Sequence, residues 1–272
     1  MNGVERHLAS ARRSAQVLLA RHPLVYERLL RAAGRGSLEK RTFLRLLRLG
    51  DLAVDVGANA GYFTLLFSDI VGASGEVHAF EPIAPTFDRL TRMIRCDQQF
   101  DNVTLNCAAC GDVDGVATMM VPGGDWGQAA LVRHDAGSWA SAENVTRYQT
   151  PIVRLDRYVA SRRFAKVDFV KLDAEGAELG VLKGLADTIA RYRPLLSIEI
   201  YSEWTRAFGY EPADLVRLVE SLGYDVLIAL GNESRRVTGV VASSLAVGQS
   251  LNLVCGMRDV HATRLERLNP RP

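Results

Sequence analysis

The stretch LAVDVGANAGYFTLLFS, residues 52–68, decides the fold of this chain. It opens with an apolar run that is typical of a buried strand and that carries one acid, Asp55. Gly57, Asn59 and Gly61 follow at alternate positions, and the apolar spacing then becomes helical. A strand, a turn with few side chains and a helix together predict a ligand-binding turn, because a ligand can approach such a backbone closely.

Strand-like runs and helical spacing alternate along the rest of the chain. The expected strands are 52–56, 75–82, 102–108, 167–173, 193–200, 224–230 and 250–256, and the expected helices are 61–69, 86–97, 178–191 and 211–223. This alternation predicts an α/β fold with a doubly wound, Rossmann-like, mainly parallel sheet, whose last two strands pair antiparallel. Residues 111–154 differ, since they contain two hairpin-like strands around a loop with Gly and Trp.

The composition is that of a soluble globular protein. The chain has 272 residues, of which 48% are hydrophobic and 24% are charged, which is enough for one large α/β domain with extensions. No apolar run approaches the ~20 residues that a membrane helix needs. The run QVLLA near the N-terminus is too short for a signal peptide. We therefore expect a cytoplasmic protein that does not span a membrane.

The N-terminal region is basic and has helical spacing at 5–19, 24–33 and 38–48. Residues 1–48 hold eleven Arg or Lys and three Glu, whereas the whole chain has a net charge of only +2. We expect a basic helical extension at 1–48, a main domain at 49–260 and a C-terminal tail at 261–272. Such an extension can dock on nucleic acid, membranes or acidic carriers, but a solvated helical face is the favoured interpretation.

The four cysteines, at 96, 107, 110 and 255, are expected to be ordinary reduced and mostly buried residues. Cys107 and Cys110 form a lone C-x-x-C at a strand end that runs into a turn. A redox pair would normally open a helix, and a zinc site would need a second pair of ligands.

Several carboxylates end the expected strands and so share one rim of the sheet, where ligands bind in such folds. These acids are Asp55, Glu81, Asp173, Glu175 and Glu199. A dinucleotide is disfavoured, because an acid precedes the first glycine of the turn and the third fingerprint glycine is missing. S-adenosylmethionine fits better, since it carries an ammonium, a sulfonium and a ribose diol but no phosphate. Glu81, 24 residues after Gly57, is placed to accept hydrogen bonds from both ribose hydroxyls.

The segment FVKLDAEGAELGVLKG, residues 169–184, closely resembles the FkbM-type methyltransferases. It contains their K-x-D-x-E-G-x-E run followed by L-K-G, and VDVGANAGYFT, FEP, CAACGD, VRLDRY and LLSIEI occur in the family's order. The resemblance spans roughly residues 38–230 and leaves out the helices that precede residue 38. It implies a class I methyltransferase fold with a seven-stranded sheet. It also implies transfer of a methyl group from S-adenosylmethionine to a hydroxyl of a sugar, polyketide or other secondary metabolite.

This resemblance and the carboxylate rim together define the expected site. The expected cofactor-binding residues are Asp55, Gly57, Asn59, Gly61, Tyr62, Glu81, Ala109, Cys110, Asp112 and Asp173. Small side chains at Ala109, Cys110 and Gly111 would admit the adenine ring, and Asp112 would accept from its exocyclic amine. The expected catalytic residues are Asp173, Glu175 and Glu199.

The roles of these acids stay open between chemistry and structure. Asp173 is either a general base or an anchor of the turn, and Glu175 can simply favour a helix N-terminus. Glu178 is expected to be a helix-surface acid, and Glu199 to be buried with a partner. A Mg²⁺ ion between the acids is an alternative to a metal-free base, which we favour because no carboxylate pair has the spacing of a metal motif. We therefore assign no metal ligand.

The remaining candidates are weaker. His134 lies in the 122–148 loop and is expected at the surface, whereas His78 lies in mid-strand and is expected in the core. Trp126, Trp139 and Tyr148 either form an acceptor pocket or anchor the loop.

Three rival functions are disfavoured. They are an NAD-dependent oxidoreductase, a non-catalytic module that retains the cofactor site, and a methyltransferase that modifies nucleic acid or another nitrogen acceptor. An amino-directed enzyme would carry an N-P-P-Y-like run where this chain has LDAEGA. The expected partner is a small hydroxylated molecule, and a homo-oligomer is possible.

Overall fold

The computed structural model describes residue 15 and residues 17–96, 100–133, 137–230, 235–236 and 250–268. Its main sheet has eight strands in the order β10-β9-β11-β8-β7-β1-β2-β3. They are β1 Leu52–Val56, β2 Glu76–Phe80, β3 Val103–Asn106, β7 Phe169–Leu172, β8 Leu195–Tyr201, β9 Val226–Leu230, β10 Arg235–Arg236 and β11 Ser250–Gly256. β1 is an interior strand that pairs parallel with β2 and β7, and β11 pairs antiparallel with β8 and β9. The predicted α/β fold and the antiparallel pairing of its last two long strands are confirmed.

Helices cover both faces of this sheet. The described helices of the first half are α1 Pro23–Ala32, α2 Leu38–Leu46, α3 Tyr62–Val71 and α4 Ala84–Cys96. Those of the second half are α5 Leu155–Arg162, α6 Glu178–Lys183, α7 Ala186–Tyr192, α8 Ser202–Ala207, α9 Pro212–Ser221 and α10 Arg258–Leu265. Among the described helices, none is long and apolar enough to cross a membrane.

Strand alternation divides the core into two layers. Val54 and Val56 of β1 face one side of the sheet and pack with α5, α6, α7 and α9. Ala53, one residue before Val54, faces the other side and packs with α2, α3 and α10. Both faces of β1 are apolar because a central parallel strand is covered by helices on both sides.

A second, three-stranded sheet stands beside the first and has the order β4-β6-β5. β4 is Ala109–Gly111, β5 is Gly115–Pro122 and β6 is Val145–Arg154. β5 and β6 pair antiparallel from Gly115 with Ile152 to Pro122 with Val145, which confirms the predicted hairpin. The loop between these two strands reaches back over the main sheet.

One predicted helix is divided in the structure. The pattern predicts a single helix at 178–191, but α6 ends at Lys183 and α7 begins at Ala186. Gly184 packs directly against the backbone of Gly111, and its carbonyl accepts a hydrogen bond from the Asp156 amide at 2.8 Å. Asp156 also accepts from the amides of α7, including Thr188 N at 2.8 Å, so α7 has its own start.

Residues on both sides of the two expected domain boundaries pack in one core layer, and the boundaries themselves stay predictions. Phe43, Leu44 and Leu46 of α2 lie in the same core layer as β1, although residue 48 was the expected boundary. α10 begins before the expected tail at 261, and its Leu265 is buried in that layer. The apolar side chains of α2 and α10 explain this packing, because their burial against the sheet removes apolar surface from water. The helix expected at 5–19 lies mostly outside the described residues.

Candidate functional site

A cavity of about 340 Å³ opens at the carboxyl ends of β1, β2, β7 and β8. This edge is where the turns that follow parallel strands converge in a doubly wound sheet. The cavity is lined by Val56, Gly57, Asn59, Phe80, Glu81, Pro82, Ala108, Ala109, Cys110, Met119, Trp126, Gly127, Gln128, Ala129, Leu131, Asp173, Ala174, Glu175, Ala177, Glu199 and Trp204. Several predicted site residues therefore share one space, and others do not.

Glu81 lies at the end of β2, buried in the wall of this cavity. Its two carboxylate oxygens accept hydrogen bonds from Asn59 N at 2.8 Å and from Ile83 N at 2.9 Å. Burial raises the pKa of Glu81 to about 7 against these two hydrogen bonds, which lower it. Each carboxylate oxygen keeps a lone pair for a ligand, since it holds one backbone donor.

The wall beyond Glu81 is built from small and apolar side chains. Ala109 and Cys110 line it together with Met119 and Leu131. Asp112 is exposed and is absent from the lining. Because β4 pairs with β6 in the second sheet, the chain after Gly111 turns away from the cavity. The structure thus brings Ala109 and Cys110, but not Asp112, to the expected adenine wall.

The glycines of the turn after β1 are required by contacts within the protein. Gly57 has φ +77°, and a Cβ there would overlap the carbonyl of Asp173. Gly61 has φ +87°, and a Cβ there would lie 2.5 Å from Leu90. Gly57 lines the cavity with Asn59, whereas Gly61 and the exposed Tyr62 do not. In the structure Gly61 makes room for helix α4 and does not line the cavity.

Asp55 faces the protein interior and not the cavity. It is fully buried and accepts a hydrogen bond from Thr64 Oγ1 of α3 at 2.6 Å. Lys171 Nζ lies 3.7 Å from its other oxygen. Burial raises the pKa of Asp55, although Lys171 and Thr64 oppose the shift. The direct cofactor contact expected for Asp55 is not available in this orientation, since its strand position points to the α3 side of the sheet.

Asp173 and Glu199 form a coupled pair at the other end of the cavity. Asp173 follows β7 and pairs with Lys171 Nζ at 2.8 Å, and it also hydrogen-bonds with Glu199 of β8. Burial would raise the pKa of Asp173, but Lys171 and the hydrogen bond from Glu199 outweigh it and lower that pKa. Burial and the neighbouring Asp173 raise the pKa of Glu199. The pair therefore holds one proton at neutral pH, on Glu199, and the expected partner of Glu199 is found.

Glu175 enters the cavity from a strained backbone. Its φ of +51° lies in the left-handed region, where residues other than glycine are uncommon. Its Oε2 atom is buried and has no hydrogen-bond partner among the described residues. Burial and the nearby acids, above all Asp173, raise the pKa of Glu175 to about 10. At neutral pH Glu175 is therefore a neutral carboxyl group.

Glu178 is not the surface acid that the sequence predicts. It is buried, and its Oε1 accepts from Ala174 N at 2.8 Å and Gly176 N at 3.2 Å. Tyr210 donates to its Oε2 at 3.2 Å, and burial raises the pKa of Glu178 to about 7. The side chain turns inward because the loop 173–177 needs an acceptor for its amides. Glu178 thus fixes the loop that carries Asp173 and Glu175.

The loop between β5 and β6 covers the cavity. Trp126 and Gln128 line it, and Trp126 is 41% exposed. Trp139 is fully buried and donates from Nε1 to Gln128 O at 2.9 Å, so it anchors this loop and does not form an acceptor wall. The ring centroids of Tyr148 and Trp126 lie 5.9 Å apart.

The two candidate histidines of the sequence are His134 and His78. His134 lies outside the described residues. His78 is buried on β2 and bonds to Tyr158, as expected for a core residue.

Sequence reasoning missed three contributors to the site. Lys171 was noticed only as part of a motif, and its place between Asp55 and Asp173 depends on which way two strands face. Trp204, which follows β8 by three residues, lines the cavity without any motif of its own. Glu39 of α2 interacts electrostatically with Lys171 and Asp173. Its position one turn before Phe43 on an amphipathic helix was the available signal.

The described residues contain no group of three or more His, Cys, Asp or Glu side chains that could hold a metal ion. Cys107, Cys110 and Cys255 are free thiols, of which Cys107 is exposed and the other two are buried. Burial raises the pKa of each of the two buried thiols, which makes them unreactive.

Comparison with known proteins finds a family whose sequence model matches more than half of this chain. The family described as methyltransferase FkbM domain matches residues 55–226. The 31-O-demethyl-FK506 methyltransferase FkbM of Streptomyces tacrolimicus is 31% identical over 163 residues, which are 52% of this chain and 62% of that protein. The chain thus spans less than two thirds of the length of this curated relative.

Two solved structures were also matched. Methyltransferase FkbM from Methylobacillus flagellatus KT is 18% identical with a TM-score of 0.47, over 77% of this chain and 45% of that chain. A SAM dependent methyltransferase from Aquifex aeolicus is 14% identical with a TM-score of 0.44, over 80% of this chain and 88% of that chain.

Proposed function

Because this chain belongs to the FkbM methyltransferase family, we propose that it transfers the methyl group of S-adenosylmethionine to a hydroxyl oxygen of a small-molecule acceptor. One observation carries the proposal: a single cavity joins Glu81 at the end of β2 to the Asp173–Glu199 pair at the ends of β7 and β8. The name of the Streptomyces relative describes methylation at an oxygen, which supports the same chemistry here.

The residues present fit S-adenosylmethionine at both ends of the cavity. Glu81 offers a free lone pair on each oxygen to the two ribose hydroxyls, and Ala109 and Cys110 leave room for the adenine ring. Asp173 and Glu175 offer carboxyl oxygens to the cationic part. The unpartnered Oε2 of Glu175 is an observation that points to a ligand, because a buried polar atom without a partner costs about 1–3 kcal/mol.

The protein has two tasks at the reacting end. The bound donor supplies a methyl group that is already activated for attack by a nucleophile. The protein therefore has to align the acceptor and to take up one proton. Asp173, which Lys171 keeps ionised, accepts the proton of the acceptor hydroxyl at a carboxylate oxygen. Glu199 hydrogen-bonds to Asp173 and holds that carboxylate toward the cavity.

The test is an assay of the purified protein with methyl-labelled S-adenosylmethionine and a panel of small hydroxylated molecules. The expected product carries the label as a methyl ether, which NMR distinguishes from a methylated nitrogen. Asp173→Asn should lower kcat by about 10²–10⁴-fold, the usual contribution of a general base. Label transferred to nitrogen, or full turnover by Asp173→Asn, would contradict the corresponding part of the proposal.

The metal-free form of this mechanism is tested in the same assay. Activity should survive EDTA treatment, because the base is a carboxylate that a lysine keeps ionised. Activity lost to EDTA and restored by Mg²⁺ would instead assign the activation of the hydroxyl to a metal ion.

Glu81→Ala should weaken the binding of S-adenosylmethionine by about 10-fold or more, because it removes two hydrogen bonds from ribose hydroxyls to a carboxylate. Isothermal titration calorimetry measures the change. Asp88→Ala is the matched control, since Asp88 is an exposed acid on α4 outside the cavity, and its affinity should equal that of the wild type. An unchanged affinity for Glu81→Ala would remove Glu81 from the ribose site.

A further inference from the structure

The cavity has an unusual charge balance for a site that must hold a ligand. The acidic side chains that line it are Glu81, Asp173, Glu175 and Glu199, and its described lining contains no Lys, Arg or His. Lys171, the nearest buried cation, is directed at Asp55 and Asp173 from the α3 side of the sheet. A positively charged group is therefore the natural complement of the end of the cavity that holds Asp173, Glu175 and Glu199.

Among the acids that line the cavity, Glu175 has a buried oxygen without a hydrogen-bond partner in the described part of the chain. Glu81 holds two amides, Glu178 holds two amides and Tyr210, and Asp173 holds Lys171 and Glu199. Glu175 Oε2, in contrast, is buried without a hydrogen-bond partner among the described residues. The loop that carries it packs closely on α8 and the residue after it, since a Cβ at Gly176 would lie 2.7 Å from the Phe208 ring.

The charged groups that act most strongly on Glu175 are acids. Asp173 and Glu178 face it from its own loop and α6, Glu199 faces it from β8, and Asp125 faces it from the loop after β5. Burial and these four carboxyl groups raise its pKa to about 10, so the carboxyl is neutral in the absence of a ligand. A positive charge placed beside it would reverse the balance, because an opposite charge within a few ångströms favours the ionised form.

We propose, on the basis of the function proposed above, that Glu175 distinguishes S-adenosylmethionine from S-adenosylhomocysteine by charge. It loses its proton to solvent when the sulfonium is bound beside it. The step is an ionisation: the O–H bond of the Glu175 carboxyl breaks, the electron pair stays on oxygen, and the proton goes to the buffer. S-adenosylhomocysteine has no positive charge on sulfur, so Glu175 keeps its proton when that product is bound. The site therefore prefers the methylated form of the cofactor, and the preference grows as pH rises.

The test is isothermal titration calorimetry of the wild-type protein with S-adenosylmethionine and with S-adenosylhomocysteine. Each titration is run at one pH in buffers of different ionisation enthalpy, so that the dependence of the heat on buffer counts the protons released. We expect S-adenosylmethionine to release about one proton more than S-adenosylhomocysteine. The ratio of their affinities should rise by up to about 10-fold per pH unit between neutral pH and pH ~9. Glu81 contributes equally to both titrations, because both molecules carry the ribose diol.

Glu175→Gln assigns the proton to this residue. The variant keeps the shape but cannot ionise, so its affinity for S-adenosylhomocysteine should change less than its affinity for S-adenosylmethionine. Its affinity for S-adenosylmethionine should fall, and the extra proton release should disappear. Glu220→Gln is the control, because Glu220 is an exposed acid on α9 and should change neither value.

The outcomes separate this inference from the function on which it rests. Equal proton release by the two molecules in the wild type would overturn the inference while leaving cofactor binding intact. Extra release that persists in Glu175→Gln would overturn the assignment to Glu175. Failure of the wild type to bind either molecule would instead refute the proposed function. The wild-type comparison decides the matter even if the variant does not fold.

Discussion

At the scale of single residues, Lys171 determines the charge of the site. Its side chain is only 8% exposed, and its ammonium lies 2.8 Å from Asp173 and 3.7 Å from Asp55. It also lies 5.3 Å from the centre of the Phe63 ring. Burial would lower the pKa of Lys171, but Asp173 and Asp55 outweigh it and raise that pKa, so the lysine stays charged. One buried cation thus serves an acid of the core and an acid of the cavity.

Lys171→Met should destabilise the protein by about 3 kcal/mol, because it leaves two buried carboxyl groups without a counter-charge. The loss should depend on pH. The pKa of Asp173 is lowered in the folded wild type, so its ionised form stabilises the fold above the unfolded pKa, and this contribution disappears as pH falls. Urea unfolding should therefore show the largest difference between variant and wild type near neutral pH and a smaller one in acid. Lys183→Met, at an exposed position, should change stability by no more than about 0.5 kcal/mol.

A comparison of Gly57→Ala with Gly209→Ala separates the cost of a left-handed backbone from the cost of steric overlap with a neighbouring residue. Both glycines have nearly the same φ, +77° and +78°, but a Cβ at Gly57 would overlap Asp173 whereas Gly209 has open space. Gly209→Ala should cost about 1–2 kcal/mol for the left-handed backbone alone. Gly57→Ala should cost about 1–3 kcal/mol more and should also weaken cofactor binding, since the turn must move. Equal losses in urea unfolding would show that the overlap relaxes freely.

The sequence predicts which acids reach the rim, but not which way each one faces. Strand ends can be identified from an apolar run, so the convergence of Glu81, Asp173 and Glu199 follows from the fold alone. The direction of Asp55 depends on which face of β1 meets α3, and a strand that is apolar on both faces does not disclose it. For the same reason Glu178, at a position with helical spacing, was expected at the surface. Its burial depends on the unpaired amides of the preceding loop, which no pattern of hydrophobicity reports.

At the scale of elements, the loop between β5 and β6 is held by a few directed bonds. Trp139 Nε1 donates to Gln128 O, Ser138 N donates to Gln128 Oε1 at 2.9 Å, and Ser138 Oγ donates to Asp125. These bonds keep the short helical turn Trp126–Gln128 against the cavity. The position of this loop therefore depends on Asp125, Ser138 and Trp139, which do not themselves line the cavity.

Trp139→Phe should loosen this turn. It leaves the Gln128 carbonyl without its indole donor, which costs about 1–3 kcal/mol of local stability. Amide hydrogen exchange at residues 125–131 should accelerate by about 10-fold or more, because each 1.4 kcal/mol is a factor of ten. The amides of β1 serve as the internal reference and should be unaffected. Exchange that stays unchanged at 125–131 would mean that other contacts hold the turn.

Element boundaries were predictable wherever apolar spacing was strong. β1 and β11 coincide with the predicted runs, and α9 differs from its predicted range by one or two residues at each end. The division between α6 and α7 was not predictable, because it arises where Gly184 meets the backbone of Gly111, far away in sequence. A contact of that kind carries no periodic signal.

At the scale of the whole molecule, the basic N-terminal region is part of the main core. The Phe43 ring of α2 lies 5.0 Å from Phe63, 5.2 Å from Phe67 and 5.6 Å from Phe169. Arg264 of α10 donates hydrogen bonds of 2.7 and 2.8 Å to Asp51, and so joins α10 to the residue that precedes β1. Among the described residues of this region, Arg21, Arg28, Arg31 and Arg35 are exposed, whereas the apolar side of α2 packs on the sheet.

Phe43→Ala should destabilise the whole protein by about 3–5 kcal/mol, the usual loss for a buried aromatic ring. Unfolding should remain a single transition, because the ring packs on α3 and β7 together. Calorimetric and urea unfolding both report this. Leu29→Ala on α1 is the control, since Leu29 is 52% exposed and should change stability little. A separate early transition in the wild type would contradict the shared core.

The hairpin of β5 and β6 has a consequence for how this molecule can diverge. The two strands hold each other along their full length, so their register does not depend on the chain between them. That chain supplies Trp126, Gln128 and Leu131 to the cavity, while the opposite wall belongs to the main sheet. Mutations can accumulate in the tip, or change its length, without disturbing either sheet. We therefore expect related chains to differ more in the wall that the tip supplies than in the wall that the main sheet supplies.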